Sequence, residues 1–239
     1  MAGTRISPAQ PGLFHLWRHV LRIFIGYDER ESIAATVLAH SIQERASCPV
    51  SITRIDTRQL PFYKRPDDPL ASTAFTYARF LVPYLCNYQG TAVFMDCDML
   101  CLGDVAGFLA YPEPGKAVSV VKHNYQPQNA TKFLGAAQTR YPKKLWSALM
   151  VFDCSQCKAL TPEYVNTATG AELHQFKWLD ESLIGDLPGS WQWIPDHSDG
   201  DPRLLHWTEG GPWFPEYRSA PYAAAWLDEL TRMTQYEAA

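Results

Sequence analysis

The segment TAVFM, residues 91–95, carries no charged side chain, and the acidic triplet DCD follows it directly. A strand that helices cover on both faces of a sheet has such a continuously apolar sequence, whereas a strand with one wet face alternates. The segment therefore predicts a central strand of a mainly parallel sheet. It also places Asp96 and Asp98 at the carboxyl end of that strand, where α/β sheets collect their ligands.

Further apolar strand patterns alternate with helical ones along the chain, which is typical of an α/β sandwich. A helix is expected after Asp28, ending before Ser47, and a second over 73–85, with Ser72 as its N-cap and Pro83 kinking or ending it. The segment 174–187 is predicted to bear a helix, and residues 220–236 a final amphipathic helix. The predicted strands are LRIFIG (21–26), VSITRI (50–55), TAVFM (91–95), AVSVVK (117–122), SALMVFD (147–153) and RLLHW (203–207).

Length and composition narrow the functional classes. The 239 residues suit one domain over 21–239, preceded by a loose extension over 1–20. A net charge of -4 argues against nucleic acid as a partner. The six cysteines sit mostly in apolar segments, as reduced thiols do, and predict a cytoplasmic protein. Charged residues interrupt the apolar stretch 13–25, so no transmembrane segment is expected, although a short interfacial helix that associates weakly with membranes stays open. The oligomeric state is not indicated.

Asp96 and Asp98 lie two residues apart, so in an extended backbone their side chains point to the same side. Two carboxylates this close oppose each other's ionisation unless a cation lies between them. Oxygen ligands of this kind suit magnesium or manganese, with the remaining coordination positions open to a phosphate of the substrate. The alternative is a turn in which one aspartate only caps the following segment, and the three-residue pattern does not separate the two.

The order of several motifs resembles the family 8 glycosyltransferases, the group of glycogenin and bacterial galactosyltransferases. The resemblance covers residues 21 to about 215. It implies the GT-A fold, a nucleotide-sugar-binding, Rossmann-like α/β/α sandwich with a mainly parallel central sheet. The motifs are FIGYD (24–28), Arg79 in TYARF, VFMDCDML (93–100), SALMVFD, LDESL (179–183) and HWTEGGPW (206–213).

The resemblance implies a hexosyltransferase that uses a UDP-sugar donor and Mn²⁺ or Mg²⁺, and a carbohydrate or other hydroxyl acceptor. Asp96, Asp98 and His206 would hold the metal, and Asp96 would also lie near the ribose. Arg79 would face the diphosphate or the sugar, although a surface salt bridge is the alternative. The further donor contacts that it implies are Ile25, Gly26, Tyr27, Asp28, Cys97 and Ser147.

The late motif departs from the family pattern. HWTEGGPW is one residue shorter and lacks the lysine that normally grips the diphosphate, so Gly210 and Gly211 are expected to offer backbone N–H groups instead. A glycine-rich turn without that role is the alternative. Near the strand SALMVFD, residues 146–148 read Trp-Ser-Ala where the family has Asn-Ala-Gly or Asn-Ser-Gly, which predicts different contacts to the sugar.

The family retains the anomeric configuration of the donor. Asp180 and Glu181 match its acidic pair and are candidates for nucleophile, acceptor orientation or oxocarbenium stabilisation, with solvated charges at a helix start as the alternative. We favour attack from the face that the leaving group occupies. Two other functions stay open: a nucleotide-sugar-binding protein of little or no activity, because the lysine is missing, and a nucleotidyltransferase, although FIGYDERES is acidic where that class has a basic phosphate loop.

Overall fold

The computed structural model of the protein describes residues 20–66, 68–69, 71–127, 131–135 and 140–235. Apart from Val20, the expected extension over 1–20 lies outside these residues. The strands are β1 (Leu21–Gly26), β2 (Val50–Ile55), β3 (Thr91–Met95), β4 (Met99–Cys101), β5 (Val118–Val120), β6 (Leu149–Asp153), β7 (Ile184–Asp186) and β8 (Leu204–His206). The α-helices are α1 (Ser32–Arg45), α2 (Val82–Leu85), α3 (Pro162–Thr167), α4 (Gly170–His174) and α5 (Ala223–Thr234), joined by short 3₁₀ helices.

Six of these strands form the central sheet, in the order β2-β1-β3-β6-β5-β7. The pairs β1–β2, β1–β3 and β5–β7 are parallel, and only β6 runs antiparallel to its neighbours. As predicted, β3 is buried along its length, from Ala92 to Met95. The mainly parallel α/β architecture is therefore confirmed, and the carboxyl ends of β1, β2 and β3 meet at one edge.

A small two-stranded sheet lies beside the central one. β4 and β8 pair antiparallel, with Met99 opposite His206, and a second hydrophobic cluster packs against them. The sequence did not predict β4, which follows β3 after a bend at Cys97 and Asp98. This pairing brings the late part of the chain to the end of β3.

The predicted final helix is confirmed as α5, which packs on α1. Its Glu229 is fully buried and bonds to two side chains of α1: His40 Nδ1 lies 2.6 Å and Arg45 Nη2 2.7 Å from its carboxylate oxygens. Arg232 lies 2.5 Å from the same carboxylate. The buried carboxylate of Glu229 thus holds the C-terminal helix α5 to α1.

Two helix predictions were wrong. Residues 73–85 form turns, a 3₁₀ helix at Ala78–Leu81 and the single turn α2, and Pro83 lies within the first turn of α2. Proline fits there because the first turn of a helix leaves its N–H groups unpaired. In 174–187 the helix α4 has already ended at His174, Phe176 takes a left-handed φ of 59°, and one 3₁₀ turn leads into β7. Among the described residues no helix is both long and apolar enough to cross a membrane.

Candidate functional site

Three side chains from distant parts of the sequence meet at the carboxyl end of β3. Asp96 and Asp98 lie in the bend between β3 and β4, and His206 ends β8. Ligand atoms of the three lie within 4.8 Å of one another. The β4–β8 pairing causes this convergence, because Trp207 N donates to the carbonyl oxygen of Asp98 at 3.0 Å and holds the two segments side by side.

The charges of this triad are buried. Asp98 Oδ1 lies 3.2 Å from His206 Nε2, yet neither Asp98 Oδ1 nor Asp96 Oδ1 accepts a well-aligned hydrogen bond from any described residue. Burial raises the pKa of Asp96 to about 6, against the opposing effect of Arg79. For Asp98 burial also acts upward, but the neighbouring His206 outweighs it and holds the pKa below its ordinary value.

This donor set fits a divalent cation. Two carboxylates and an imidazole are ligands that manganese and magnesium sites use, and buried carboxylate oxygens without an aligned donor are costly unless a cation satisfies them. Gln192, which sequence reasoning missed, lies behind the imidazole: its Nε2 is 3.4 Å from His206 Nδ1 and donates to the carbonyl oxygen of Leu145 at 2.9 Å. The Gln192 amide therefore orients the ring with Nε2 toward Asp98.

Arg79 is a buried partner of the triad and not a surface salt bridge. Its Nη1 lies 2.8 Å from Asp96 Oδ1 and donates to the carbonyl oxygen of Ser147, and its Nε donates to that of Thr76, both at 2.9 Å. The guanidinium also lies over the rings of Phe75 and Phe94, 5.2 and 5.1 Å from their centroids. Three of its contacts therefore fix Asp96 and the surrounding backbone.

A cavity of ≈ 720 Å³ opens at the end of β1, and we call it the Tyr27 cavity. Tyr27 lines it, with the guanidinium carbons of Arg54 and Arg58 at 5.6 and 5.8 Å from its ring centroid. Asp28 lines it as well and is strongly hydrogen-bonded: despite burial, donors from Arg30 and Ala74 hold its pKa below the ordinary value.

The two residues before them, Ile25 and Gly26, do not line this cavity, and their predicted contact to the donor stays a prediction. Ile25 is fully buried, and a Cβ on Gly26 would lie 2.3 Å from the ring of Phe75. Close packing against Phe75 therefore explains the glycine at the end of β1.

A second cavity, of ≈ 250 Å³, lies on the other side of Tyr77, which lines both; we call it the Asp96 cavity. Ser147 Oγ and His174 Nδ1 are 2.8 Å apart in its wall. Burial, with the nearby cations Arg79 and Lys144, holds the pKa of His174 well below its ordinary value, so this imidazole is neutral. The residues that line the cavity are Ser72, Thr76, Tyr77, Arg79, Asp96, Lys132, Tyr141, Lys144, Leu145, Ser147, Ala148, Gly170, Ala171, His174, Gln175 and Thr208.

A third cavity, of ≈ 370 Å³, shares Thr208 with the Asp96 cavity, and we call it the Thr208 cavity. Aromatic rings and acidic groups line it. Among the described tryptophans of the C-terminal third, Trp207 lines this cavity. Trp191 instead packs on Phe108 inside the core, with 4.1 Å between the two ring centroids. The lining includes Tyr125, Asp196, His197, Trp207, Thr208, Glu209, Gly210, Glu216 and Tyr217.

The structure does not bring Asp180 and Glu181 to these cavities. Both are exposed, and they precede β7. The register of the sheet places Ile184, the first residue of β7, level with Ala92 of β3, because β7 pairs with β5, β5 with β6 and β6 with β3. Ala92 is near the amino end of β3, whereas Asp96 follows its carboxyl end. Asp180 instead caps the short 3₁₀ turn, where its Oδ1 accepts a hydrogen bond from the backbone N–H of Ser182 at 2.8 Å.

Three further residues predicted to contact the donor, Cys97, Gly210 and Gly211, each have a local structural role. Cys97 is fully buried, with its Sγ 3.9 Å from Glu31 Oε2, and its contact to the donor stays a prediction. The N–H of Gly210 donates to the carbonyl oxygen of Trp207 at 3.2 Å, within its own turn, and its contact to a phosphate stays a prediction. A Cβ on Gly211 would lie 2.1 Å from the ring of Trp213, so packing requires this glycine, and its contact to phosphate stays a prediction.

Solved structures share this architecture. The galactosyltransferase LgtC, in complex with donor and acceptor sugar analogues, superposes with a TM-score of 0.61 over 91% of this chain and 98% of its own, at 10% identity. The bifunctional glycosyltransferase WbbM gives 0.64 at 15% identity over 90% of this chain, which spans half of WbbM. GlyE of Streptococcus pneumoniae TIGR4 gives 0.56 at 11% identity, over 89% of this chain and 60% of its own. At these identities the likeness shows the fold, GT-A, alone.

Sequence comparison reaches further. Protein CDI of Arabidopsis thaliana is 42% identical over 221 residues, which are 87% of this chain and 85% of that protein. The model of glycosyl transferase family 8 matches residues 19–176, about two thirds of the chain. The chain therefore belongs to glycosyl transferase family 8 and is a glycosyltransferase.

Proposed function

We propose that this protein moves a hexose from a UDP-sugar to a carbohydrate or other hydroxyl acceptor, with retention of the anomeric configuration and with a manganese or magnesium ion held by Asp96, Asp98 and His206. One observation carries the proposal. Asp96 Oδ1 and Asp98 Oδ1, two buried carboxylate oxygens without an aligned donor, converge with His206, and Asp96 lines a cavity that adjoins the larger Tyr27 cavity through Tyr77. A cation at this position would lie where a nucleotide and a sugar meet.

The chemistry of the leaving group explains why the chain needs this site. As the glycosidic bond stretches, negative charge grows on the departing diphosphate, and a bound divalent cation supplies Lewis-acid stabilisation there. The protein's own part is to hold the ligands in place. Arg79 fixes Asp96 at 2.8 Å, and Gln192 orients His206.

The Tyr27 cavity suits the nucleoside. Its volume, ≈ 720 Å³, lies within the range of small-molecule sites. The aromatic ring of Tyr27 can stack on a base, and the guanidinium carbons of Arg54 and Arg58 lie over that ring, 5.6 and 5.8 Å from its centroid. The carboxylate of Asp28 lines the same cavity, and because Arg30 and Ala74 already donate to both of its oxygens, it holds that part of the cavity wall in place.

The lining of the Asp96 cavity supports same-face transfer. Among its described lining residues Asp96 is the sole carboxylate, and the remaining polar groups include the neutral His174, the hydroxyl of Ser147 and the amide of Gln175. A double displacement needs a second carboxylate on the far face of the sugar. We therefore propose that the acceptor oxygen bonds to the anomeric carbon on the face from which the diphosphate leaves, and that the acceptor proton passes to a diphosphate oxygen.

The Thr208 cavity suits the acceptor, because it adjoins the Asp96 cavity through Thr208. Its aromatic rings, among them Tyr125 and Trp207, can pack against the apolar face of a sugar ring. Carboxylates such as Glu209 and Glu216 line it as well and can accept hydrogen bonds from hydroxyl groups. The six free thiols agree with a reducing compartment, and we propose the cytoplasm.

Calorimetry with UDP tests the proposal, with and without manganese, followed by an assay for hydrolysis or transfer of UDP-hexoses. We expect manganese-dependent binding of UDP by the wild type and its loss in Asp98→Asn. Asp153→Asn is the matched control, since Asp153 caps a turn at the far end of β6. Binding without any release of sugar would instead support the nucleotide-sugar-binding protein. The absence of UDP binding would refute the proposal as a whole.

A further inference from the structure

Lys144 lies in the wall of the Asp96 cavity without a carboxylate partner. No aspartate or glutamate among the described residues lies within 4 Å of its Nζ, which is 4.9 Å from the ring centroid of Tyr141. Two other lysines do have carboxylate partners. Lys143 Nζ lies 3.3 Å from a carboxylate oxygen of Glu181, and Lys122 Nζ 3.1 Å from one of Asp186.

The surroundings of Lys144 disfavour its charge. Burial and the nearby Lys132 lower its pKa to about 8. Arg79, the third cation of the cavity, is matched by Asp96 at 2.8 Å, so that pair adds little net charge. A cation that is partly desolvated in a concave site without a counter-anion gains stability when a ligand brings one.

The other side of the metal centre offers no such charge. From His206 to Tyr217 the sequence contains neither lysine nor arginine, and it carries Glu209 and Glu216. The N–H of Gly210 is already bonded within its own turn. A protein cation for an anionic ligand beside Asp96 therefore has to come from the rest of the cavity lining, to which Lys144 belongs.

We propose that Lys144 binds an anionic oxygen of the donor substrate in the Asp96 cavity. The inference rests on the proposed function, because it takes the donor to bind there. Two parts of a donor can supply this oxygen: the diphosphate, or the carboxylate of an acidic sugar. The chemistry is the same in both cases, a charge-assisted hydrogen bond from a lysine ammonium.

Calorimetry in the presence of manganese tests this with three probes: UDP, UDP-glucose and UDP-glucuronic acid. Lys144→Gln removes the charge, Lys144→Arg keeps it, and Lys143→Gln removes the same charge one residue away, outside the cavity lining. Melting curves of the ligand-free variants verify that each is folded. We expect Lys144→Gln to weaken binding by about 10- to 100-fold, the usual range for a hydrogen bond to a charged group. Lys144→Arg should retain most of the affinity, and Lys143→Gln should stay within about twofold of the wild type, because Lys143 does not line the Asp96 cavity and pairs instead with the exposed Glu181.

The probes separate the two sources of the oxygen. Weaker binding of all three to Lys144→Gln identifies the diphosphate, whereas a loss confined to UDP-glucuronic acid identifies the sugar carboxylate. If Lys144→Gln binds all three like the wild type, the inference is wrong while the proposed function stands. If the wild type binds none of them, the proposed function fails and takes the inference with it.

Discussion

Replacing Arg79 by methionine tests how the candidate metal site is held together. Arg79 is 6% exposed, and its guanidinium contacts Asp96 at 2.8 Å and two backbone carbonyl oxygens at 2.9 Å. Methionine keeps an unbranched apolar side chain next to Phe75 and Phe94, but it has no N–H group that could donate a hydrogen bond. The variant therefore leaves a buried carboxylate without its cation while it changes the packing little.

Removing one partner of a buried ion pair costs about 3–5 kcal/mol. A chain of this size loses about 2–4 °C of melting temperature per kcal/mol, so Arg79→Met should melt about 10 °C below the wild type. Saturating manganese should narrow that gap, because a cation held by Asp96 replaces part of the lost charge.

Differential scanning calorimetry, with and without manganese, measures both effects. Arg58→Met is the control, since the Arg58–Asp56 pair has the same 2.7–2.9 Å contacts but Arg58 is 61% exposed. Such exposed pairs contribute at most about 1 kcal/mol. An Arg79→Met protein that melts within about 2 °C of the wild type would show that the ion pair is not formed in solution or is not needed.

Three further predictions concern single side chains. Asp98→Asn should weaken manganese binding by at least about 100-fold, measured by electron paramagnetic resonance of the free ion, because it removes one of three charged or imidazole ligands. Asp180→Asn should leave kcat within about threefold, since Asp180 is exposed and lines none of the three cavities; a covalent sugar adduct on Asp180 would contradict this. Glu229→Gln should cost about 2–4 kcal/mol at pH 7 in urea unfolding, because it breaks a buried cluster with Arg45. Hydrogen bonds from Arg45 and His40 outweigh burial and hold the pKa of Glu229 below its usual value, so this contribution is complete above about pH 5 and disappears as the pH falls through the folded-state pKa.

The central sheet could be predicted because each of its longer strands is defined locally. Continuous apolar runs of five or six residues, such as Thr91–Met95, are read correctly from sequence alone since burial on both faces leaves no alternation to interpret. The strands β4 and β7, which the sequence did not predict, have three residues each. Such short strands form only because a partner strand lies beside them. β4 forms where β8 returns to it, and no local sequence pattern predicts that pairing.

The two wrong helices have a common cause. The segments 73–85 and 174–187 both carry apolar residues at helical spacing, but their side chains line cavities or pack in the core without forming one continuous helix. Tyr77 and Arg79 line a cavity from a turn and a 3₁₀ helix, and His174 does so from the last residue of α4. Periodicity therefore detected which residues are buried but not that the backbone turns between them.

The side chains of Asp96 and Asp98 converge as expected, but for a different physical reason. The prediction assumed an extended backbone that points residues i and i+2 to one side, yet Asp98 lies in a bend after β3 has ended. Their ligand atoms converge with that of His206 because the bend turns the chain into β4 and β8 pairs with it. Gln192 and His174 could not be foreseen, since each acts through a contact with a residue far along the chain.

The contacts of Asp96 and Asp98 explain how such a site can keep its shape before an ion binds. Arg79 fixes Asp96, and His206 fixes Asp98, so each carboxylate already faces a positively polarised partner at 2.8 and 3.2 Å. Neither contact has the alignment of a hydrogen bond, and both oxygens therefore keep acceptor capacity. A site that is held in this way loses little side-chain entropy on binding a cation, which favours affinity. The arrangement also makes Arg79 and His206 unequal: losing the arginine should mainly destabilise the fold, whereas losing the histidine removes a ligand and should mainly weaken binding of the metal.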